Sequence, residues 1–200
     1  MSYRRIPETT LWHQINDCMS ALRYIDENRS KLNLILDKCF LTGDSAGALL
    51  SYYIASINGS KELQNDFGID GCSVDFKAMG LISIMLETDR HELMDFITTY
   101  ISDENDEGKT YFPYIFDASG MLAKATLPPV YLVTGDEDMI QNETMKFDSL
   151  LSEHGVKHEL KNYPKGDIHS LDHVFATKNP ECTESQEAID LMSDHFMRNS

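Results

Sequence analysis

Apolar positions along this chain recur at two spacings, one suited to helices and one to strands. Over 11–28, Trp12, Ile15, Met19, Leu22 and Ile25 fall three or four apart and form one helical stripe. After a turn at 28–31, Leu34, Ile35 and Leu36 with Cys39, Phe40 and Leu41 suit a buried strand arriving at Gly43. Small and apolar side chains over 46–57 suit a helix packed on a sheet, with Gly59 as its C-terminal cap. Residues 65–75 are polar and contain glycine, which predicts surface. The apolar run within 76–86 fits a strand buried on both faces, as parallel sheets require. A helix follows over 87–105, with Leu93, Met94, Ile97 and Ile101 on one face, and then a solvated acidic loop over 103–108. The aromatic-rich stretch 111–122 reads as core packing, with a cap over a pocket as the alternative.

The second half is more sharply punctuated. Pro128 and Pro129 precede a strand over 127–135, placed where they do not break its ladder. A helix over 139–154 carries Ile140, Phe147, Leu151 and His154 on one side, and Gly155 caps it. Residues 157–163 alternate as a short strand, 164–172 form a loop, and 184–197 close the chain as a helix. In that last helix Ala188, Leu191, Met192, His195 and Phe196 face inward. Strands alternating with helices predict one α/β domain over 1–200, with a mostly parallel sheet and helices on both faces. In such sheets the chemistry sits at the C-terminal ends of the strands.

Composition narrows the function class. Hydrophobic content of 42% and charged content of 25% are ordinary for a globular protein. The net charge of -16 repels phosphate backbones and anionic lipid, so nucleic acid and membrane surfaces are poor partners. No apolar run reaches the length of a membrane span, and the first residues hold no signal-peptide core. Cys18, Cys39, Cys72 and Cys182 are scattered, which predicts reduced thiols in a cytoplasmic protein.

The candidate chemistry centres on Gly43-Asp44-Ser45-Ala46-Gly47, a G-x-S-x-G pattern between a predicted strand and a predicted helix. A serine at the apex of such a turn is held in a strained backbone conformation, and side chains at Gly43 or Gly47 are expected to collide with their neighbours. The helix beginning after Ser45 aims its free N–H groups at a site where negative charge would develop. A serine hydroxyl needs a base, and the base needs an acid to orient it. The strand ending near Gly135 is followed by Asp136 and Asp138, and the last loop carries His169 and His173. A metal site at His169 and His173 is disfavoured, because Pro164 and Gly166 oppose a helix there and no third ligand is evident. No cofactor or metal is expected. The remaining histidines, His13, His91, His154, His158 and His195, read as structural.

Four segments together resemble the hormone-sensitive-lipase-like esterases of the α/β-hydrolase family. Tyr3-Arg4-Arg5-Ile6-Pro7-Glu8 resembles the family's Y-R-x-x-P-E entry into a long helix. Gly43-Asp44-Ser45-Ala46-Gly47 is similar to its G-D-S-A-G elbow at every position. Leu127-Pro128-Pro129-Val130 followed by Asp138-Met139-Ile140 resembles its P-x-x-x strand and D-x-[LI] acid turn, and His173-Val174-Phe175 its H-x-F turn. The resemblance implies an α/β-hydrolase fold and a carboxylic-ester hydrolase with Ser45 as nucleophile, His173 as base and Asp138 as its orienting acid. The Ala46 N–H would be one oxyanion donor. Asp136, closer to the strand end, and His169, in a similar loop, stay open as alternatives.

The chain departs from that family in one respect. The family places an H-G-G-G oxyanion loop and several strands before Y-R-x-x-P-E, and no HGG or GGG triplet occurs in these 200 residues. The resemblance therefore implies a fold whose N-terminal strands are missing. It implies weak or no ester hydrolysis by these residues alone, and an uncovered sheet edge open to homo-oligomer pairing. The substrate would be a small-molecule ester. The competing reading is a non-catalytic hydrolase-like fragment that binds a small molecule or a protein partner.

Overall fold

The computed structural model describes residues 2–5, 7–86, 106, 108–166 and 168–200. The chain forms two compact units, one of 1–37, 53–74 and 87–126, the other of 38–52, 75–86 and 127–200. The second holds the sheet. Among the described residues this sheet has four strands: β1 Cys39–Asp44, β2 Phe76–Ile82, β3 Val130–Gly135 and β4 His158–Tyr163. They lie in the order β1-β2-β3-β4, and every pairing is parallel. Asp44 sits opposite Ile82, Ile82 opposite Val133, and Val133 opposite Lys161. The strands therefore end together, and the turns leaving them share one edge.

The predicted parallel α/β architecture is what the structure has. All six residues of β3 are buried, so both of its faces are covered. Tyr131 and Val133 pack with Ile82, Ala188 and Met192 on the side of the C-terminal helix. That helix, α7, runs Thr183–Arg198, and Phe196 stacks on Phe40 of β1 at 4.8 Å between centroids. Among the described residues the other helices, in chain order, are α1 Leu11–Glu27, α2 Ala46–Asn58, α3 Lys61–Phe67, α4 Ala118–Leu122, α5 Gln141–Glu153 and α6 Phe175–Lys178. A 3-10 turn spans Phe112–Ile115. α5 packs against β3 and β4 and ends at Gly155 (φ +67), where the Val156 N–H reaches back to the Leu151 carbonyl. Among the described residues no helix is long and apolar enough to cross a membrane.

Several local expectations need correction. β1 is the outermost of the described strands on its side and only half-buried, and Leu34 and Ile35 lie outside it, Ile35 being 84% exposed. Apolar content alone does not separate a buried strand from an exposed approach to one. Gly59 is not a left-handed cap; a Cβ there would come within 2.5 Å of the Thr126 carbonyl oxygen, so close approach is what calls for glycine. Residues 65–75 are not simply surface. Ser60 accepts the Leu63 N–H to start α3, Gly68 (φ +63) ends it, and Phe67, Ile69 and Val74 are buried. α3 is seven residues long, too short for its stripe of Leu63 and Phe67 to register as periodic. Met139 precedes α5 and is exposed.

In the first unit the buried face of α1 is Leu11, Gln14, Ile15, Cys18 and Met19, one step around from the predicted stripe. Of the aromatics after 110, Tyr111 is buried and Phe112 and Tyr114 half-buried, whereas Phe116 is exposed. Tyr111 and Tyr114 stack on Phe67, the Trp12 indole donates to the Phe67 carbonyl at 2.9 Å, and the Tyr53 hydroxyl donates to the Tyr114 carbonyl at 2.9 Å. Asp106, expected in a solvated loop, is buried and accepts the Tyr111 hydroxyl. The predicted helix over 87–105 lies outside the described residues.

Candidate active site

The site is built where β1, β2 and β3 end. β1 delivers the chain to Ser45, whose φ of +50 is in the left-handed region and uncommon for a residue with a side chain. The Ser45 N–H donates to the Ile82 carbonyl at 2.9 Å, which pins the turn to the neighbouring strand. α2 starts at the next residue, so the Ala46 N–H has no intrahelical acceptor. The two flanking glycines differ. A Cβ at Gly43 would lie 2.3 Å from the Gly47 carbonyl oxygen, whereas one at Gly47 would meet only Asp44 Oδ1 at 3.7 Å. The expected collision holds for Gly43 and fails for Gly47.

Asp138 is reached through a turn in which its N–H donates to the Gly135 carbonyl. Its side chain is fully buried. Oδ2 accepts the Thr134 hydroxyl at 3.2 Å, while Oδ1 accepts the Ile140 N–H at 3.0 Å and lies 2.9 Å from His173 Nδ1. Asp138 thus tidies the entry to α5 and holds an imidazole with the same carboxylate. His173 Nε2 lies 2.9 Å from Ser45 Oγ. A carboxylate only accepts, so Nδ1 carries the proton, and Nε2 is left to accept the Ser45 hydroxyl. The structure therefore brings Ser45, His173 and Asp138 into one hydrogen-bonded line. Asp136 is off that line, accepting from the side-chain amides of Gln141 and Asn162 at 2.9 Å each. His169 is exposed on the preceding loop.

Four further residues hold these parts in roles that the sequence does not announce. Glu137 pairs as an isolated bridge with Asp172, and its Oε2 accepts the N–H groups of Leu171 at 3.0 Å and Gly166 at 3.3 Å. The Thr177 hydroxyl donates to Asp44 Oδ2 at 2.8 Å, tying α6 to the residue before Ser45. Val174 has a φ of +55, and its N–H donates to Ser83 Oγ at 3.2 Å. The one signal that could have found Ser83 is its hydroxyl inside the apolar run Leu81-Ile82-Ser83-Ile84-Met85.

A parallel sheet carrying a serine in a left-handed strand-to-helix turn, with an imidazole and a buried carboxylate behind it, defines a hydrolase scaffold. The family profile described as alpha/beta hydrolase fold matches residues 1–173, and the chain belongs to that family. Carboxylesterase NlhH of Mycobacterium tuberculosis is 26% identical, over 82% of this chain and 53% of its own length. The crystal structure of esterase B from Lactobacillus rhamnosis (HN001) superposes with a TM-score of 0.89 at 26% identity, covering 99% of this chain and 64% of that one. A form of the same esterase inhibited by a tributyrin phosphonate superposes at 0.88 and 27% identity, covering 99% of this chain and 64% of that one. An esterase from Pyrobaculum calidifontis, at 22% identity and a TM-score of 0.74, shares the fold over 100% of this chain and 66% of its own. The chain thus spans about half the length of the curated relative and under two thirds of esterase B. These likenesses support the resemblance to the hormone-sensitive-lipase-like esterases.

Proposed function

We propose that this chain carries the nucleophile, base and acid of a carboxylic-ester hydrolase, with Ser45, His173 and Asp138 in those roles. The observation that carries the reading is the line Ser45 Oγ to His173 Nε2 to Asp138 Oδ1, each step 2.9 Å. Ser45 Oγ attacks the ester carbonyl carbon as its proton passes to His173 Nε2. Asp138 stabilises the resulting imidazolium through Nδ1–H without itself taking the proton. The tetrahedral oxyanion receives the Ala46 N–H at the start of α2. Collapse expels the alcohol, which leaves with the proton from Nε2, and Ser45 is acylated. Water then attacks the acyl group with His173 as base, releasing the acid and restoring the serine.

Turnover by these 200 residues is expected to be low. A missing oxyanion donor lowers turnover by roughly 10²–10³-fold, and this sequence has no H-G-G-G run to add to Ala46. The test is labelling by a fluorophosphonate probe, followed by hydrolysis of p-nitrophenyl acetate and of tributyrin, the ester whose phosphonate inhibits esterase B. Labelling in the native chain, abolished by Ser45→Ala and strongly slowed by His173→Gln, is the expected result. Absence of Ser45-dependent labelling in folded protein would favour the non-catalytic binding reading instead.

A further inference from the structure

The two halves of the proposed machinery are gripped by one dipeptide. Ile82 and Ser83 leave the end of β2 between the Ser45 turn and the His173 turn. The Ile82 carbonyl accepts the Ser45 N–H at 2.9 Å, and Ser83 Oγ accepts the Val174 N–H at 3.2 Å. Ser83 is itself fixed. It is 1% exposed, its own N–H donates to the Val133 carbonyl at 2.8 Å, and its φ is +51.

Val174 is where the grip matters. It follows His173 directly and adopts φ +55, ψ +30 with a β-branched side chain, a genuine outlier for that residue type. Such a conformation persists only when its surroundings over-determine it. Its carbonyl closes the first turn of α6 by accepting the N–H groups of Thr177 and Lys178, each at 3.0 Å, while its N–H is taken by Ser83. Release of that N–H would free Val174 to return to the common β region. The backbone rotation would carry His173 with it, away from a contact that tolerates only a few tenths of an ångström.

We propose that Ser83 is a positioning residue for the reaction: its hydroxyl holds Val174 in the left-handed conformation that aims His173 Nε2 at Ser45. This deepens the reading of Ser45 and His173 as nucleophile and base, and rests on it. The test uses Ser83→Ala, Ser83→Gly and the double variant Ser83→Ala/Val174→Gly. Ser83→Gly suits the φ of +51 at that position, so it removes the hydroxyl without adding strain. Each single variant should slow fluorophosphonate labelling of Ser45 by roughly 10–100-fold, the range expected when a partnered backbone donor loses its acceptor. The double variant should recover most of the rate, because glycine takes φ +55 without a hydroxyl to hold it. A Ser83 role in packing alone would leave the double variant as slow as the single ones, and that result would overturn the proposal. So would wild-type rates in both single variants.

A second readout does not depend on reactivity. The His173 Nδ1–H bonded to Asp138 should give a downfield proton resonance, identified by its loss in His173→Gln. It should be lost or shifted in Ser83→Ala and Ser83→Gly, and restored in the double variant. If the native chain fails to label while this proton follows that pattern, the hydrolase reading fails and the positioning role stands. If the native chain labels and the proton is unmoved in the single variants, the hydrolase reading stands and the positioning role fails.

Discussion

Alanine at Gly43 should destabilise the protein, whereas alanine at Gly47 should not. A Cβ at Gly43 would lie 2.3 Å from the Gly47 carbonyl oxygen, 2.4 Å from its carbon and 2.7 Å from the Ala48 nitrogen. Ordinary contacts of this kind are about 3.3–3.6 Å, so the shortfall is roughly 1 Å, and every atom met is backbone. No side chain can rotate to relieve it. Either β1 or the first turn of α2 must shift. Overpacking a tight site costs about 1–3 kcal/mol, and a rigid partner puts Gly43→Ala at the upper end, about 3 kcal/mol. For a chain of this size that is a fall of roughly 6–12 °C in Tm. At Gly47 the added methyl meets only Asp44 Oδ1 at 3.7 Å. Helix propensity then decides the sign, and Gly47→Ala should be neutral to about 1 kcal/mol stabilising. Urea unfolding followed by circular dichroism measures both. The same shift at Gly43 would stretch the 2.9 Å approach of His173 Nε2 to Ser45 Oγ, so fluorophosphonate labelling should fall as well. A Gly43→Ala protein within 0.5 kcal/mol of wild type, or a Gly47→Ala protein less stable than Gly43→Ala, would refute the steric argument.

Two other outcomes follow from side chains away from that turn. Glu137→Ala strips the shared acceptor from the Leu171 and Gly166 N–H groups, and should cost about 2 kcal/mol in urea unfolding and speed amide exchange at Leu171; unchanged exchange there would count against it. Cys18 is buried, and burial pushes its thiol up to about 11, with Asp17 adding to the rise. At pH 8 only about one such thiol in a thousand is ionised, so a disulfide reagent should label Cys18 only on unfolding, as peptide mapping by mass spectrometry would report.

Much was legible from local pattern. The strand runs at 76–82 and 130–135 stand out because strands of a parallel sheet are buried on both faces and so read as continuous apolar runs. α1, α5 and α7 are long enough for their stripes to repeat. The residues of the candidate site were legible for a different reason. Ser45, Asp138 and His173 each sit on a turn leaving the C-terminal edge of a strand or its extension, and such turns carry short signatures in chain order. By contrast α3, with two buried residues four apart, has too little pattern to show, and Ile35 has the right polarity for a core it does not join.

The sequence by itself determined the alternation of strand and helix and which residue types end each strand, because these depend on side-chain periodicity and turn chemistry within a few neighbours. Only the tertiary structure decided what depends on residues far apart in the chain. It put Cys39–Asp44 outermost among the described strands and aimed Asp138 rather than Asp136 at His173. It also brought Ser83 to a backbone N–H 91 residues away. The physical reason is that a hydrogen bond acts within about 3 Å and carries no trace along the sequence. A hydroxyl inside an apolar run shows only that some partner must exist, and the fold supplies which one.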